Sequence, residues 1–182
     1  MLRRIDGEPL QYLTGLAGFR YLELRVGPGV LVPRPETEIV AQTAIDLLPR
    51  GGTVVDVGTG SGAIALAIRH ERPDARVVAT DISEEALVWA RRNREELALE
   101  VELIACDLLD GVDHGLRGAI DVIVSNPPYV APEERDDLPV EVRDHEPDVA
   151  LFAPRDGLDV IGRRAEPTTA NWRDKRLSFA KL

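Results

Sequence analysis

Val54-Val55-Asp56-Val57-Gly58-Thr59-Gly60-Ser61-Gly62 is a short apolar run that passes directly into a glycine-rich turn. The crowding of β-branched residues predicts a strand, Thr53–Val57, buried on both faces. Glycines at its end let the backbone approach a ligand closely and leave N–H donors at the start of a following helix. Downstream the pattern keeps alternating. Ser61–Glu71 reads as a helix and Arg76–Thr80 as a strand. Glu84–Leu97 reads as a helix with Ser83 as N-cap and Ala86, Ala90 and Leu97 on one stripe, and Val101–Ala105 and Ile120–Ser125 are two further strands. Strands alternating with helices predict an α/β fold with a parallel sheet flanked by helices. The dinucleotide fingerprint G-x-G-x-x-G is not matched, because Gly58 and Gly60 are followed by Gly62 and position 63 is Ala.

Outside this region the text is less regular. Phe19–Val26 alternates like one half-buried strand between Gly18 and Gly27, and Val30–Val32 is a second extended piece stopped by Pro33 and Pro35. Together they predict a short β-hairpin ahead of the sheet. A helix is expected from Thr37, with Val40, Ala44, Leu47 and Leu48 on one face. The acidic, proline-bearing stretch Ala131–Val149 is expected as a loop over a substrate site, and Asp156–Arg164 as a short helix. After Ala165 no apolar period remains, and both lysines of the chain, Lys175 and Lys181, fall there. Ile120–Ser125 is then the last core strand, and the tail is expected as loose coil or an isolated helix that leaves its edge uncovered.

Composition narrows the function classes. The 182 residues suffice for one domain with a sizeable core, and 44% hydrophobic with 30% charged residues describe an ordinary globule. No apolar run reaches the length of a membrane span. The single Cys106 excludes an internal disulfide framework and suits a reducing cytoplasm. One cysteine and the scattered His70, His114 and His145 make no familiar metal-ligand spacing, so no metal is expected. A net charge of −10 favours a protein or small molecule over nucleic acid as partner.

The chemistry concentrates at strand ends. Asp56, just before the turn, suits the ammonium of a methionine-like moiety or else caps the turn. Asp81, closing the second strand, is placed to accept from both hydroxyls of a ribose or else caps a helix. Asp107, after the third strand, is placed to meet an adenine amino group or is a plain surface carboxylate. Cys106 reads as a packed residue, with no cation near it to activate a thiolate. Asn126-Pro127-Pro128-Tyr129 follows the fourth strand. Its prolines fix φ and remove two backbone donors. The Asn126 side-chain oxygen and the Pro127 carbonyl can take the two N–H groups of a planar nitrogen, and the Tyr129 ring can lie against a flat substrate. Turn and tetrapeptide together point to an S-adenosylmethionine-dependent N-methyltransferase.

These stretches, with Gly7-Glu8-Pro9-Leu10-Gln11-Tyr12-Leu13-Thr14-Gly15 and Val30-Leu31-Val32-Pro33-Arg34-Pro35-Glu36-Thr37-Glu38, resemble the peptide chain release factor glutamine methyltransferase family from about Gly7 to Ile161. The resemblance implies a class I S-adenosylmethionine-dependent methyltransferase sheet of Rossmann-like type. It also implies methyl transfer to the glutamine amide of a release factor's Gly-Gly-Gln loop in the cytoplasm, with no membrane and no direct nucleic-acid partner. It places cofactor contacts at Gly58, Thr59, Gly60, Ser61, Gly62, Asp81, Asp107 and Leu108, to which the residue reading adds Asp56. The glutamine would be held by Asn126, Pro127, Pro128 and Tyr129, with Asn126, Pro127 and Tyr129 at the chemistry. The chain divides into a hairpin and linker over 1–34, a partial methyltransferase core over 35–165 and an atypical tail over 166–182. Family members carry an N-terminal helical domain and further strands beyond Asp156-Gly157-Leu158-Asp159. The expectation is therefore a chain truncated at both ends, its sheet incomplete after the fourth core strand, as a fragment or through a shifted reading frame. Three other readings compete: methylation of an exocyclic amino group of a nucleic acid, a non-catalytic remnant, and a nicotinamide-dependent oxidoreductase.

Overall fold

A computed structural model describes residues 2–153 and the backbone of Arg176–Phe179. Two short helices, α1 (Leu2–Ile5) and α2 (Leu10–Thr14), precede an antiparallel hairpin, β1 (Leu16–Phe19) and β2 (Leu22–Arg25). Helix α3 (Thr37–Leu47) leads into the alternating region: β3 (Thr53–Val57), α4 (Ala63–Glu71), β4 (Arg76–Asp81), α5 (Glu84–Glu96), β5 (Glu102–Ala105), α6 (His114–Arg117) and β6 (Ile120–Ser125). A 3-10 helix (Pro132–Asp137), α7 (Val140–Arg143), α8 (Asp148–Leu151) and β7 (Arg176–Phe179) complete the described elements. The main sheet is parallel, in the order β5-β4-β3-β6-β7.

The two-residue period of the strands sorts their side chains into two layers. Val54, Val122 and Val124 share one core with Val40, Ala44, Ile64 and Ile68 from α3 and α4. Val55, Val57, Val78 and Ile123 share the other with Val112 and Leu116. Every residue of β3 is buried, as a central strand covered on both faces must be. Ser83 caps α5 as its position predicts, its Oγ accepting from the Ala86 N–H at 3.2 Å.

Two expectations need correction. Phe19–Val26 is not one strand, because the chain reverses at Arg20 and Tyr21 and Phe19 pairs with Leu22. Arg20 sits at φ 50°, and its side chain and backbone anchor it there. Its N–H donates to Glu38 Oε1 at 2.9 Å, and its guanidinium spans Gln42 Oε1 (2.7 Å) and both oxygens of Glu71 (2.5 and 2.8 Å). Those charge-assisted contacts outweigh the roughly 1–2 kcal/mol cost of a left-handed non-glycine residue. No Asn-Gly or Asp-Gly pair marks the turn, and Val30–Val32 joins no strand.

The second correction concerns the edge of β6. Arg176–Phe179, within the tail expected as coil or helix, runs parallel to it, pairing Val122 with Arg176 and Ser125 with Phe179. Strand addition needs only a free row of backbone donors and acceptors, so the absence of a long apolar period does not prevent it. The helix expected over Asp156–Arg164 lies outside the described residues.

The hairpin is tied to the sheet by a buried amide. Asn93 of α5 accepts from the Arg25 N–H (2.6 Å) and donates to the carbonyls of Arg25 (3.0 Å) and Ser61 (2.9 Å). It thus takes the place of a strand neighbour for β2 and braces the glycine-rich turn. Asn93→Leu, which leaves these buried groups unpaired, should cost about 3 kcal/mol in denaturant-monitored unfolding. A loss below about 1 kcal/mol would show that water replaces the amide.

Candidate active site

The glycine-rich turn is held open by the neighbouring strand. Past Val57 the N–H groups of Gly58 and Thr59 both donate to the Thr80 carbonyl, at 2.8 and 3.0 Å, and the Gly60 N–H donates to Asp81 Oδ2 at 2.8 Å. Gly58, Gly60 and Gly62 take φ of 74°, 58° and 86°, a region that favours glycine. At Gly62 a Cβ would also meet Leu66 Cδ1 at 2.9 Å. Beneath the turn lies Asp56, fully buried. Its Oδ2 accepts from Thr59 Oγ1 (2.6 Å) and from the Ala65 N–H (3.2 Å) in the first turn of α4. Asp56 therefore stabilises both the turn and the helix start, where Gly62 has no side chain to offer as a cap.

A cavity of about 350 Å³ opens above these strand ends. Gly58, Thr59, Gly60 and Ser61 line it, together with Asp81, Asp107, Leu108, Asn126 and Pro128. Asp56, Gly62, Pro127 and Tyr129 are outside its lining, and Pro127 is buried. Asp81 closes β4, and its other oxygen accepts from the Ser83 N–H at 2.9 Å. Leu108 adopts φ 51°, its carbonyl held by Thr80 Oγ1 at 2.7 Å. Cys106 is half-buried and lines the cavity, and burial pushes its thiol up.

Two further segments line the cavity, the first of which residue-type reasoning left without a role. One is Gly29–Thr37, which contributes Val30, Leu31, Pro33, Arg34 and Thr37. The other is the end of the acidic stretch, Pro147 and Val149, with Ala150 and Phe152 just beyond it. That stretch does lie over the site, but it is built of the 3-10 helix, α7 and α8 rather than plain loop. Its two ends close on each other: the Val130 N–H donates to the Leu151 carbonyl (3.0 Å), and Ala153 donates back to Val130 (3.1 Å). Glu146 fastens it to the first segment. With its side chain 1% exposed, Oε1 accepts from the Val32 N–H (3.2 Å) and Oε2 from Arg34 Nη2 (2.5 Å). The sequence signal for this latch was a lone Glu-Pro step in an acidic run, which looks like a solvated charge until its partner is known. On the floor, Ser125 Oγ donates to the Val57 carbonyl at 2.5 Å and keeps the ends of β6 and β3 in step. Asn126 Nδ2 donates to Thr37 Oγ1 at 3.3 Å. Among the described residues no helix is long and apolar enough to cross a membrane, and no His/Cys/Asp/Glu group has metal-ligand geometry.

Residues 35–141 match the family model described as the methyltransferase small domain. The chain belongs to this family. It is 52% identical over 163 residues to a protein of Streptomyces coelicolor named release factor glutamine methyltransferase, covering 87% of this chain and 57% of that protein. A Streptococcus pneumoniae protein of the same name is 42% identical over 176 residues, covering 96% of this chain and 62% of the other. The chain thus spans somewhat more than half the length of these relatives. Among solved structures, a T. thermophilus 16S rRNA N2 methyltransferase in complex with AdoMet and guanosine superposes with a TM-score of 0.55 at 24% identity. That match covers 64% of this chain and 33% of the other. This likeness is one of fold, a parallel sheet flanked by helices.

The buried Glu146 carries a pH signature. Burial raises its carboxyl above the usual range, and the Arg34 guanidinium offsets only part of that. The folded chain therefore holds this proton more tightly than the unfolded one. The stability it contributes is full below the unfolded value of about 4.3 and is lost as pH rises through the raised folded value. In Glu146→Gln this dependence is removed. The melting temperature of the variant relative to the parent should therefore climb between about pH 4 and pH 7, and an unchanged difference would contradict the shift.

Proposed function

We propose that this chain binds S-adenosylmethionine in the cavity above β3 and β4 and transfers its methyl group to the side-chain amide of a glutamine in a peptide chain release factor. The observation that carries the reading is that one cavity is lined by both the glycine-rich turn and Asn126, so a cofactor and an acceptor amide can meet in it. The residues suit such a cofactor. Gly58 exposes backbone at the floor, and Asp81 brings a carboxylate to the end of β4, where ribose hydroxyls would sit. Ile82, 63% exposed beside it, offers apolar surface for a flat base, with Asp107 and Leu108 at the far side. The names of the Streptomyces and Streptococcus relatives support glutamine as acceptor, and the net charge of −10 favours a protein over a nucleic acid.

An amide nitrogen is a weak nucleophile because its lone pair is delocalised into the carbonyl. When bound, S-adenosylmethionine supplies an electrophilic methyl on a sulfonium. The task left to the protein is to hold the nitrogen in line and keep water out. Asn126 Oδ1 accepts one N–H of the glutamine, and the Pro127 carbonyl, which stands outside the cavity's lining, is the second acceptor that the tetrapeptide reading assigns. Together they set the direction of the nitrogen lone pair and stabilise the positive charge that grows on it. Pro128 and the wall latched by Glu146 line the cavity beside the amide, while Tyr129 stands outside that lining. Placement of this kind is worth roughly 7–11 kcal/mol of barrier, enough to make a general base unnecessary before transfer, and the strongly acidic proton then left on the methylated nitrogen passes to solvent. The reaction belongs in the cytoplasm, where release factors work.

Mass spectrometry of a release factor incubated with the chain and S-adenosylmethionine should show one added methyl on the glutamine of its Gly-Gly-Gln loop. Asn126→Ala should slow this about a hundredfold or more, at a cost of roughly 3 kcal/mol, while cofactor affinity stays within a few-fold. A variant with parent turnover would remove Asn126 from the mechanism. Asp81→Asn should instead raise the cofactor dissociation constant about tenfold, through loss of charge-assisted hydrogen bonds. An unchanged constant would confine Asp81 to bracing the turn.

A further inference from the structure

The stretch Pro33-Arg34-Pro35-Glu36-Thr37-Glu38 enters the site, yet the proposed chemistry uses none of it. One of its side chains touches the acceptor-holding residue directly. Asn126 Nδ2 donates to Thr37 Oγ1 at 3.3 Å, across a sequence separation of 89. Thr37 is 6% exposed and lines the cavity beside Asn126. It opens α3, and its own N–H donates to the Arg34 carbonyl at 3.0 Å. Pro33 and Pro35 fix the approach to that helix start. The next acidic residue, Glu38, is anchored by the N–H of Arg20. The hydroxyl is therefore presented from a part of the chain with little freedom, and Ser125 restrains the backbone just before Asn126.

A primary amide has two unlike ends, one accepting and one donating. A side chain meant to accept an N–H from a substrate works in one orientation only. Turned by half a revolution about its last torsion, it presents N–H to N–H and repels what it should hold. That torsion is soft and roughly two-fold, so an amide with no fixed partner populates both orientations. We propose that Thr37 is the positioning residue for Asn126: with its Oγ1 accepting from Nδ2, the bond holds the amide torsion where Oδ1 is left for the acceptor nitrogen. This inference rests on the role proposed for Asn126 and adds the means by which that role is enforced. It also assigns a task to the hydroxyl at a buried position where valine would fill the same space.

The test compares Thr37→Val, which keeps the shape and removes the hydroxyl, with Thr37→Ser, which keeps the hydroxyl and loses a methyl group. Methylation of a release factor by the full chain should fall about tenfold in kcat for Thr37→Val and stay within about twofold for Thr37→Ser, the effect of one neutral hydrogen bond. The dissociation constant of S-adenosylmethionine should not change in either variant. A merely structural role would penalise serine as well, because packing is lost there. Nitrogen-15 NMR reads the same orientation without turnover. The Asn126 side-chain amide, identified by its absence in Asn126→Ala, should hold one slowly exchanging proton in the parent and in Thr37→Ser but not in Thr37→Val. Unchanged kcat in Thr37→Val, or an amide whose protons exchange alike in parent and Thr37→Val, would overturn the proposal. If Asn126→Ala itself retained full turnover, the functional reading would fail, and the exchange measurement would still decide the orientation of the amide.

Discussion

The N–H groups of Gly58 and Thr59 converge on the carbonyl of Thr80, and that of Gly60 reaches the carboxylate of Asp81, so the turn after β3 is fixed to the end of β4. Most of the site follows from this attachment. A turn fixed on its outer side can leave glycine backbone bare on its inner side, and left-handed glycines are the residues that tolerate the path. Asp56 completes the arrangement from below by joining the turn to the first turn of α4. The cavity then opens at the carboxyl ends of the strands, where open α/β sheets hold their ligands.

Above that floor the site depends on contacts between distant parts of the chain. Glu146 joins the segment after the Asn-Pro-Pro-Tyr turn to the segment before α3, and Thr37 reaches Asn126 from the start of the same helix. The stretch from Val30 to Glu38 is thereby engaged by the second wall, the acceptor side and the hairpin turn at Arg20. A charge as deeply buried as Glu146 is weak evidence of extra stability, because desolvation offsets much of its attraction to Arg34. Its effect is positional: it determines where the wall lies.

Much of this was legible in the residues. The strands Thr53–Val57 and Ile120–Ser125, the start of α3 and the Ser83 cap are local features, written in burial pattern and capping chemistry. Gly58–Ser61, Asp81, Asp107, Leu108 and Asn126 meet in one cavity because each ends a strand of one parallel sheet. What the residues hid was set by distant partners. The hairpin turn has no turn signature and relies on Glu38, Gln42 and Glu71 to hold Arg20. The strand at Arg176–Phe179 forms through backbone pairing to β6, which leaves little trace in composition. Asp56 read as a partner for a ligand's ammonium more than as a cap, and the partners the structure gives it, Thr59 and Ala65, lie inside the fold.

The proposed chemistry requires that the cavity hold S-adenosylmethionine. Isothermal titration of the chain with S-adenosylmethionine tests this most directly, with NAD as the comparison. The geometry predicts one site per chain, a dissociation constant on the order of micromolar, about −8 kcal/mol, and no heat with NAD. A cooperatively folded chain that gives no heat with S-adenosylmethionine, or that binds NAD as well or better, would contradict it.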